Sequence, residues 1–222
     1  MDPEPLEGVL LQCLALLSRA PSSVTPVEAA LTAAGFLLSF DGWMRGGDIV
    51  QQLTSELRPP RRGHSQFWTL NMFPSTHNME SKTHQSDVLI GVGESNPDRR
   101  WMSEVGTLLK NHRKKQHLLL GLLPSRYVHL FQLSRALAKL ERSTPHRLRH
   151  GGASLDGCQT GIHRLSDVAM LERGSWTSIA SLRAYRRPGR YMKVRDKLSA
   201  AQLRAAESVV NEILRILRTR LI

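Results

Sequence analysis

The chain has few cysteines and no long apolar run. Cys13 and Cys158 are the only cysteines among its 222 residues, and neither has partners at metal-ligand spacing. One pair cannot form the disulfide framework of a small secreted domain, so the sequence favours a reducing compartment. No segment reaches the roughly 18 consecutive apolar residues that a transmembrane helix needs, so we expect no membrane partner.

Acidic residues are also scarce. The sequence has 19 of them against 31 lysines and arginines, which gives a formal net charge of +12. A protein this basic attracts polyanions strongly at low salt, and nucleic acid is the first such partner to consider. An anionic membrane is the alternative, but no polybasic segment adjoins an apolar anchor.

The N-terminal apolar stretch 6–19 has the wrong flanks for a secretory signal. Asp2, Glu4 and Glu7 stand where a signal peptide carries basic residues. We therefore predict an amphipathic helix over this stretch.

The apolar spacing along most of the chain has the period of a helix, and we predict a mainly α fold with a small antiparallel β-sheet. A helix should run from Pro26 to near Arg45, and another over 48–57, before the loop 58–63. Residues 66–73 and 87–92 are β-leaning and flank a polar turn, so we predict strand, turn and strand. Further helices are predicted at about 97–113, 124–142, 145–157, 164–173, 176–185 and 199–218.

The last predicted helix has an apolar stripe on one face. Ser199 is a suitable N-cap, and the stripe consists of Leu203, Val210, Ile213, Leu214 and Leu217. The stripe can dock onto the core of its own chain or onto a neighbouring protomer. We accordingly divide the chain into an N-terminal helix or linker (1–23), a main domain (24–195) and a C-terminal helix (196–222).

The segment HRLRH, residues 146–150, concentrates basic residues in five positions. On a helix, His146, Arg149 and His150 share one face and Leu148 turns toward the core. A zinc half-site is one interpretation of the two histidines, but Arg147 stands where the zinc-protease motif needs a glutamate. A solvated basic helix face is the other simple interpretation, and Arg147 in particular needs no role beyond its charge.

Other candidate residues flank this segment in a fixed order. Arg45 and Asp48 precede it, at a predicted helix end. Lys82 lies in the predicted hairpin turn, and Trp176 and Tyr185 follow HRLRH.

This array resembles that of the tyrosine recombinases, the phage-integrase family of DNA recombinases. The family has an arginine followed three residues later by an acid, a hairpin lysine, HxLRH, a glycine-histidine or glycine-tryptophan position, and a nucleophilic tyrosine. The matching residues here are Arg45 with Asp48, Lys82, His146 to His150, Trp176 and Tyr185. The resemblance covers about residues 24–195.

The resemblance implies DNA strand breaking and rejoining through a covalent 3′-phosphotyrosine, without metal, ATP or cofactor. The planar guanidiniums of Arg45 and Arg149 would each donate paired hydrogen bonds to the phosphate, and Tyr185 would attack it. His146 would act as base or proton relay, and Trp176 would donate its indole N–H. Lys82 would protonate the leaving 5′-oxygen. Asp48 and His150 would support the site.

The family also implies double-stranded DNA as partner and a homotetramer on two DNA sites. Its compartment would be the nucleus of a eukaryote or the cytoplasm of a bacterium. Family members usually carry an N-terminal helical domain that clamps the DNA, whereas about 23 residues precede the resemblance here. We therefore expect a partial element, or a clamp from another chain.

Alternatives remain for several of these residues. Arg45 can be an ordinary cation at a helix C-terminus, and Lys82 a solubilising turn residue. Trp176 and Tyr185 can be packed aromatics, and Tyr191 is the rival nucleophile. The competing functions are a catalytically incomplete DNA-binding remnant of a mobile element and an RNA-binding helical domain.

Overall fold

A computed structural model of the chain describes residues 2–63, 65–77, 85–113, 117–161 and 164–222. In these ranges the fold is mainly helical with a three-stranded antiparallel sheet, as predicted. None of the helices in these ranges is long and apolar enough to cross a membrane.

The helices and strands follow one another along the chain in this order. The N-terminal half contains α1 (Leu6–Arg19), α2 (Pro26–Asp41), α3 (Gly46–Val50), β1 (Leu57–Arg58), β2 (Trp68–Met72), β3 (Val88–Val92) and α4 (Met102–His112). The C-terminal half contains α5 (Pro124–Leu137), α6 (His146–Asp156), α7 (Asp167–Arg173), α8 (Ile179–Tyr185), α9 (Pro188–Arg195) and α10 (Ala200–Leu221).

The helix predicted from Pro26 ends earlier than expected. Thr25 caps its start by accepting a hydrogen bond from the Glu28 amide. It stops at Asp41, and the following turn includes Trp43 with a φ of 51° before α3 begins. Arg45 is therefore the N-cap residue of α3, and the prediction that it ends the preceding helix is wrong. The helix predicted over 48–57 is likewise short and gives way to a 3₁₀ turn and β1.

Helix α9 lies between two of the predicted helices, in a stretch for which the sequence predicts no helix. Proline is favoured in the first turn of a helix, where its missing N–H has no intrahelical partner. Here Pro188 starts α9 directly after α8 has ended at Tyr185. Tyr185 is thus the last residue of α8, and Tyr191 lies in α9, after the break between the two helices.

One hydrophobic core runs from α1 to α10. Helix α2 is buried on almost every side, and its apolar residues pack among α1, α4, α6 and α10. The apolar stripe of α10 packs against α1, α4 and α2 of the same chain, with Ile213, Leu214 and Leu217 buried. All three segments inferred from the sequence thus contribute to one core, and the stripe of α10 is covered within the chain.

The sheet is a small meander in the order β1, β2, β3. Leu70 in β2 pairs with Leu57 on one side and with Ile90 on the other, and all three side chains are buried. The end of β3 is joined to α2, because the Asp41 carboxylate accepts a hydrogen bond of 2.7 Å from the Gly93 amide. This contact holds the sheet against the turn that contains Trp43 and Arg45.

Candidate active site

Helix α6 presents HRLRH in the orientation predicted from its spacing. Leu148 is fully buried in the core, while His146, Arg149 and His150 face a second, smaller cluster around Trp43 and Trp176. The rings of His146 and His150 meet edge to face at 5.1 Å.

Arg147 points away from this face and is buried, contrary to the expectation of a charge without a specific role. Its Nε lies 3.3 Å from the Glu4 carboxylate, which also accepts a 2.7 Å hydrogen bond from Arg135 Nη1. The side chain therefore joins α6 to the N-terminal segment.

Tyr185 contacts four of the other predicted site residues, which are His146, Arg149, His150 and Trp176. Its hydroxyl lies 3.3 Å from His146 Nε2. Its ring stacks on His150 at 4.3 Å and on Trp176 at 4.7 Å between ring centroids. The side chain is partly exposed, so its hydroxyl belongs to a surface cluster and not to the main core.

Arg149 is the most buried cation of this cluster, with 4% of its surface exposed. Its two Nη groups donate hydrogen bonds to the carbonyls of Trp43 and Gly174. Its guanidinium carbon lies 4.9 Å from the Trp176 ring centroid and 5.1 Å from that of Tyr185. Burial and the neighbouring charge of Arg45 lower the pKa of Arg149 to about 10, so it remains a cation at neutral pH.

Arg45 and Asp48 line a small cleft that Arg149 lines as well. The Asp48 carboxylate accepts a 3.2 Å hydrogen bond from the Arg45 amide and lies 3.8 Å from Arg45 Nη1. The cleft lies between Arg45 and Arg149, and Arg173 and Ser175 also line it. Arg45, Arg149 and Arg173 thus line one cleft together with Asp48, so its lining carries more positive than negative charge.

Several buried polar atoms around Tyr185 have no hydrogen-bond partner among the described residues. They are Trp176 Nε1, Arg149 Nε and His150 Nδ1. Buried polar groups are usually paired, and two of these three atoms are obligate donors. These two donors therefore have no acceptor within the described part of the chain.

His150 is a neutral imidazole at physiological pH. Burial, with help from His146 and nearby arginines, lowers the pKa of His150 to about 4. Its stacking on the Tyr185 ring and its low pKa agree with the supporting role predicted for it.

Tyr191, the rival nucleophile, occupies a different place. It is buried in the main core, and its hydroxyl accepts a 2.9 Å hydrogen bond from the Leu6 amide. Burial raises the pKa of Tyr191 above that of a free phenol. The geometry thus favours Tyr185 as the reactive tyrosine.

Lys82 lies outside the described residues, as do the other residues of 78–84 in the predicted hairpin turn. The same holds for Lys114 and Lys115 in the basic run NHRKKQH. The role predicted for Lys82 stays a prediction.

The sequence did not reveal a group of buried charges behind the site. Arg99 Nε lies 2.8 Å from Asp41 Oδ1, and Arg99 Nη2 lies 2.7 Å from Asp156 Oδ1. Asp156 also accepts a 3.1 Å hydrogen bond from Trp43 Nε1. Asp41 alone gives a local signal, as a charged residue within an otherwise apolar stretch, and such a signal is too common to identify the group.

Exposed cations extend from Tyr185 along α8 and α9. Arg183, Arg190 and Lys193 are exposed there, and Lys197 follows α9. This gives one side of the candidate site a basic surface.

Comparison of the chain with protein-family models finds no match, and comparison with curated proteins finds no match either.

Proposed function

We propose that the chain breaks and rejoins double-stranded DNA through a covalent phosphotyrosine at Tyr185, in the manner of the tyrosine recombinases. The observation that carries the proposal is the convergence of His146 and Arg149 on the Tyr185 side chain. His146 Nε2 lies 3.3 Å from the Tyr185 oxygen, and the Arg149 guanidinium lies over the Tyr185 ring. These three residues come from α6 and α8, and they lie close enough together to act on one phosphate, as the resemblance implies.

The proposed reaction begins with one DNA phosphate in the cleft between Arg45 and Arg149. Two guanidiniums can offset the charge that develops on the non-bridging oxygens, which is the main electrostatic demand of phosphoryl transfer. Trp176 Nε1, which has no partner among the described residues, is a third donor. The interior of the cleft has room for about one water molecule, so the phosphate would bind at its mouth.

Tyr185 would then attack the phosphorus. A phenol ordinarily titrates near pH 10, so it needs help to act as a nucleophile at neutral pH. His146 is within reach to accept its proton. The new bond joins the Tyr185 oxygen to phosphorus, and the bond from phosphorus to the 5′-oxygen breaks.

The leaving 5′-oxygen needs a proton, and Lys82 is the donor that the family resemblance implies. Attack by a 5′-hydroxyl on the phosphotyrosine reverses each step, so rejoining needs no external energy source. Strand exchange follows when that hydroxyl belongs to another DNA strand. A homotetramer on two DNA sites, as in the family, would bring those strands together.

The basic surface supports DNA as the partner. The net charge is +12, and α8 and α9 carry exposed cations on both sides of Tyr185 in the sequence, although Arg190 Nε lies 2.7 Å from Asp2 Oδ1. Binding through phosphate contacts should weaken linearly in a plot of log affinity against log salt concentration.

A second candidate is a DNA-binding protein that has lost the reaction. It is favoured by the hydrogen bonds of Arg149, because both of its Nη groups already donate to backbone carbonyls. An arginine held in this way has fewer N–H groups free for a phosphate.

A nicked suicide substrate, which traps a covalent intermediate by releasing a short fragment, separates the two candidates. We expect the wild-type chain to form a detergent-resistant protein–DNA adduct, Tyr185→Phe to form none, and Tyr191→Phe to form it. Binding of an intact duplex should be the same in Tyr185→Phe and the wild type. Binding without adduct in the wild type would support the second candidate. An adduct in Tyr185→Phe would refute the choice of nucleophile.

A further inference from the structure

Trp43 contacts both the candidate site and the buried charges behind it. Its indole Nε1 donates a 3.1 Å hydrogen bond to Asp156 Oδ2, and its carbonyl accepts a hydrogen bond from Arg149 Nη1. Its ring stacks on Trp176 with 5.7 Å between centroids and 19° between planes. The side chain is completely buried.

The backbone at Trp43 has an unusual conformation. Its φ of 51° lies in the left-handed region, which a bulky side chain adopts only when the surroundings impose it. Helix α6 supplies such surroundings at Gly152, where an added Cβ would lie 1.9 Å from the Phe40 carbonyl oxygen and 2.6 Å from Trp43 Cδ1. The turn is therefore pressed directly against the helix that carries Arg149.

Asp156 is itself fixed from the other side. Arg99 Nη2 donates to both of its carboxylate oxygens, at 2.7 and 3.0 Å. Arg99 Nε in turn lies 2.8 Å from Asp41 Oδ1. Since all three charged side chains are buried, moving the Trp43 indole away from Asp156 would leave a buried carboxylate with one partner fewer.

The geometry points to Trp43 and Asp156 as positioning residues for the reaction proposed above, on which this inference rests. Neither would touch the DNA. Trp43 holds Arg149 through its carbonyl, and it holds Tyr185 through the stack formed by Trp43, Trp176 and Tyr185. Asp156 keeps the Trp43 indole in the one orientation that allows both contacts.

A role in packing alone leads to a different expectation. A buried phenylalanine keeps most of the apolar contact of a tryptophan but cannot donate to Asp156. If Trp43 only fills space, Trp43→Phe will lower stability and leave cleavage by the folded protein intact. If Trp43 positions the site, cleavage will fall in protein that is folded and binds DNA normally.

The test uses Trp43→Phe, with Trp101→Phe as the matched control. Trp101 lies at the start of α4 and has no ring contact with the stack. We expect Trp43→Phe to lower the single-turnover rate of adduct formation by on the order of 100-fold, as a displacement of about 1 Å can do. Duplex affinity should stay within about twofold, because other cations supply the phosphate contacts. Trp101→Phe should cleave at the wild-type rate.

Circular dichroism supplies a readout that needs no DNA. Two stacked indoles give an exciton-coupled band, which should disappear in Trp43→Phe and persist in Trp101→Phe. Asp156→Asn, whose side chain can still accept from Trp43 Nε1 but has lost the charge facing Arg99, should weaken the band and lower cleavage less than Trp43→Phe.

The outcomes distinguish this inference from the proposed function. Wild-type cleavage in Trp43→Phe, or an unchanged exciton band in that variant, would overturn the inference. A wild-type chain that binds DNA and never forms the adduct would instead refute the proposed function.

Discussion

The ring of His150 lies almost parallel to that of Tyr185, with 4.3 Å between centroids and 16° between planes. His146, one helical turn earlier, meets the same tyrosine differently, because its Nε2 contacts the hydroxyl. The two histidines of HRLRH therefore have different relations to Tyr185. His146 is in position for proton transfer, and His150 supports the face of the ring.

This arrangement predicts a specific acid sensitivity. The pKa of His150 is lowered to about 4, mainly by burial, from an ordinary value near 6.5. The unfolded chain therefore takes up a proton at this residue before the folded chain does. Its neutral form contributes fully to stability above about pH 6.5, and the contribution is lost as the pH falls from there toward 4.

Chemical denaturation between pH 4 and pH 8 measures the effect. In His150→Gln the free energy of unfolding should fall less steeply below pH 6.5 than in the wild type. His117→Gln is the control, since the His117 side chain is exposed. Equal slopes for wild type and His150→Gln would show that His150 does not titrate in this way.

Arg149 should not tolerate replacement by lysine. An ammonium group cannot reach the carbonyls of Trp43 and Gly174 together as the planar guanidinium does. We expect Arg149→Lys to lose adduct formation and Arg149→Ala to lose, in addition, on the order of 3 kcal/mol of stability, because two buried carbonyls lose charged donors. Both variants should be compared below their melting temperatures.

Duplex affinity shows whether the loss is local. We expect it to fall only mildly in Arg149→Lys, since many cations share the phosphate contacts. A collapse of binding in folded Arg149→Lys would make this residue the main DNA anchor and contradict the role proposed for it.

Substitution of Glu4, which does not contact the candidate nucleophile, should lower the free energy of unfolding strongly. Its buried carboxylate faces Arg135 and Arg147, and burial raises the pKa of Glu4 although both arginines oppose the rise. Glu4→Gln would leave two buried guanidiniums without their counter-charge. Loss of one member of a buried pair costs about 3 kcal/mol or more, which urea denaturation can measure.

Glu212→Gln is the matched control, because Glu212 pairs with Arg215 on the exposed face of α10. An exposed pair of this kind contributes little to the free energy of unfolding, because water and salt screen it. Similar losses in the two variants would show that burial does not set the strength of the Glu4 contacts.

The parts of the site that were predicted correctly depend on local spacing. His146, Arg149 and His150 share a face because a helix has a fixed period, and a helix was readily predicted there. Arg45 was placed at the wrong kind of helix end, because the Asp41 to Arg45 turn is imposed by α6 and β3 and not by local propensity.

The residues that were missed share a different property. Trp43 and Arg99 both contact Asp156, across separations of 113 and 57 residues. No periodicity links such positions, and each side chain is ordinary in its own segment. Only the packed structure shows that they meet.

The last prediction concerns Tyr191. The sequence leaves it as the rival nucleophile, whereas in the structure its hydroxyl caps a helix. Helix α1 follows Pro5, which offers no side-chain acceptor to the first free amides. The Tyr191 hydroxyl accepts the hydrogen bond of the Leu6 amide from 185 residues away. It thereby replaces the missing cap and joins α9 to the start of α1.

Tyr191→Phe should lower the free energy of unfolding by about 1 kcal/mol, as loss of a cap does, without lowering adduct formation. Thermal unfolding and the suicide substrate test the two halves of this expectation separately. A stable Tyr191→Phe variant that forms no adduct would reverse the assignment of the two tyrosines.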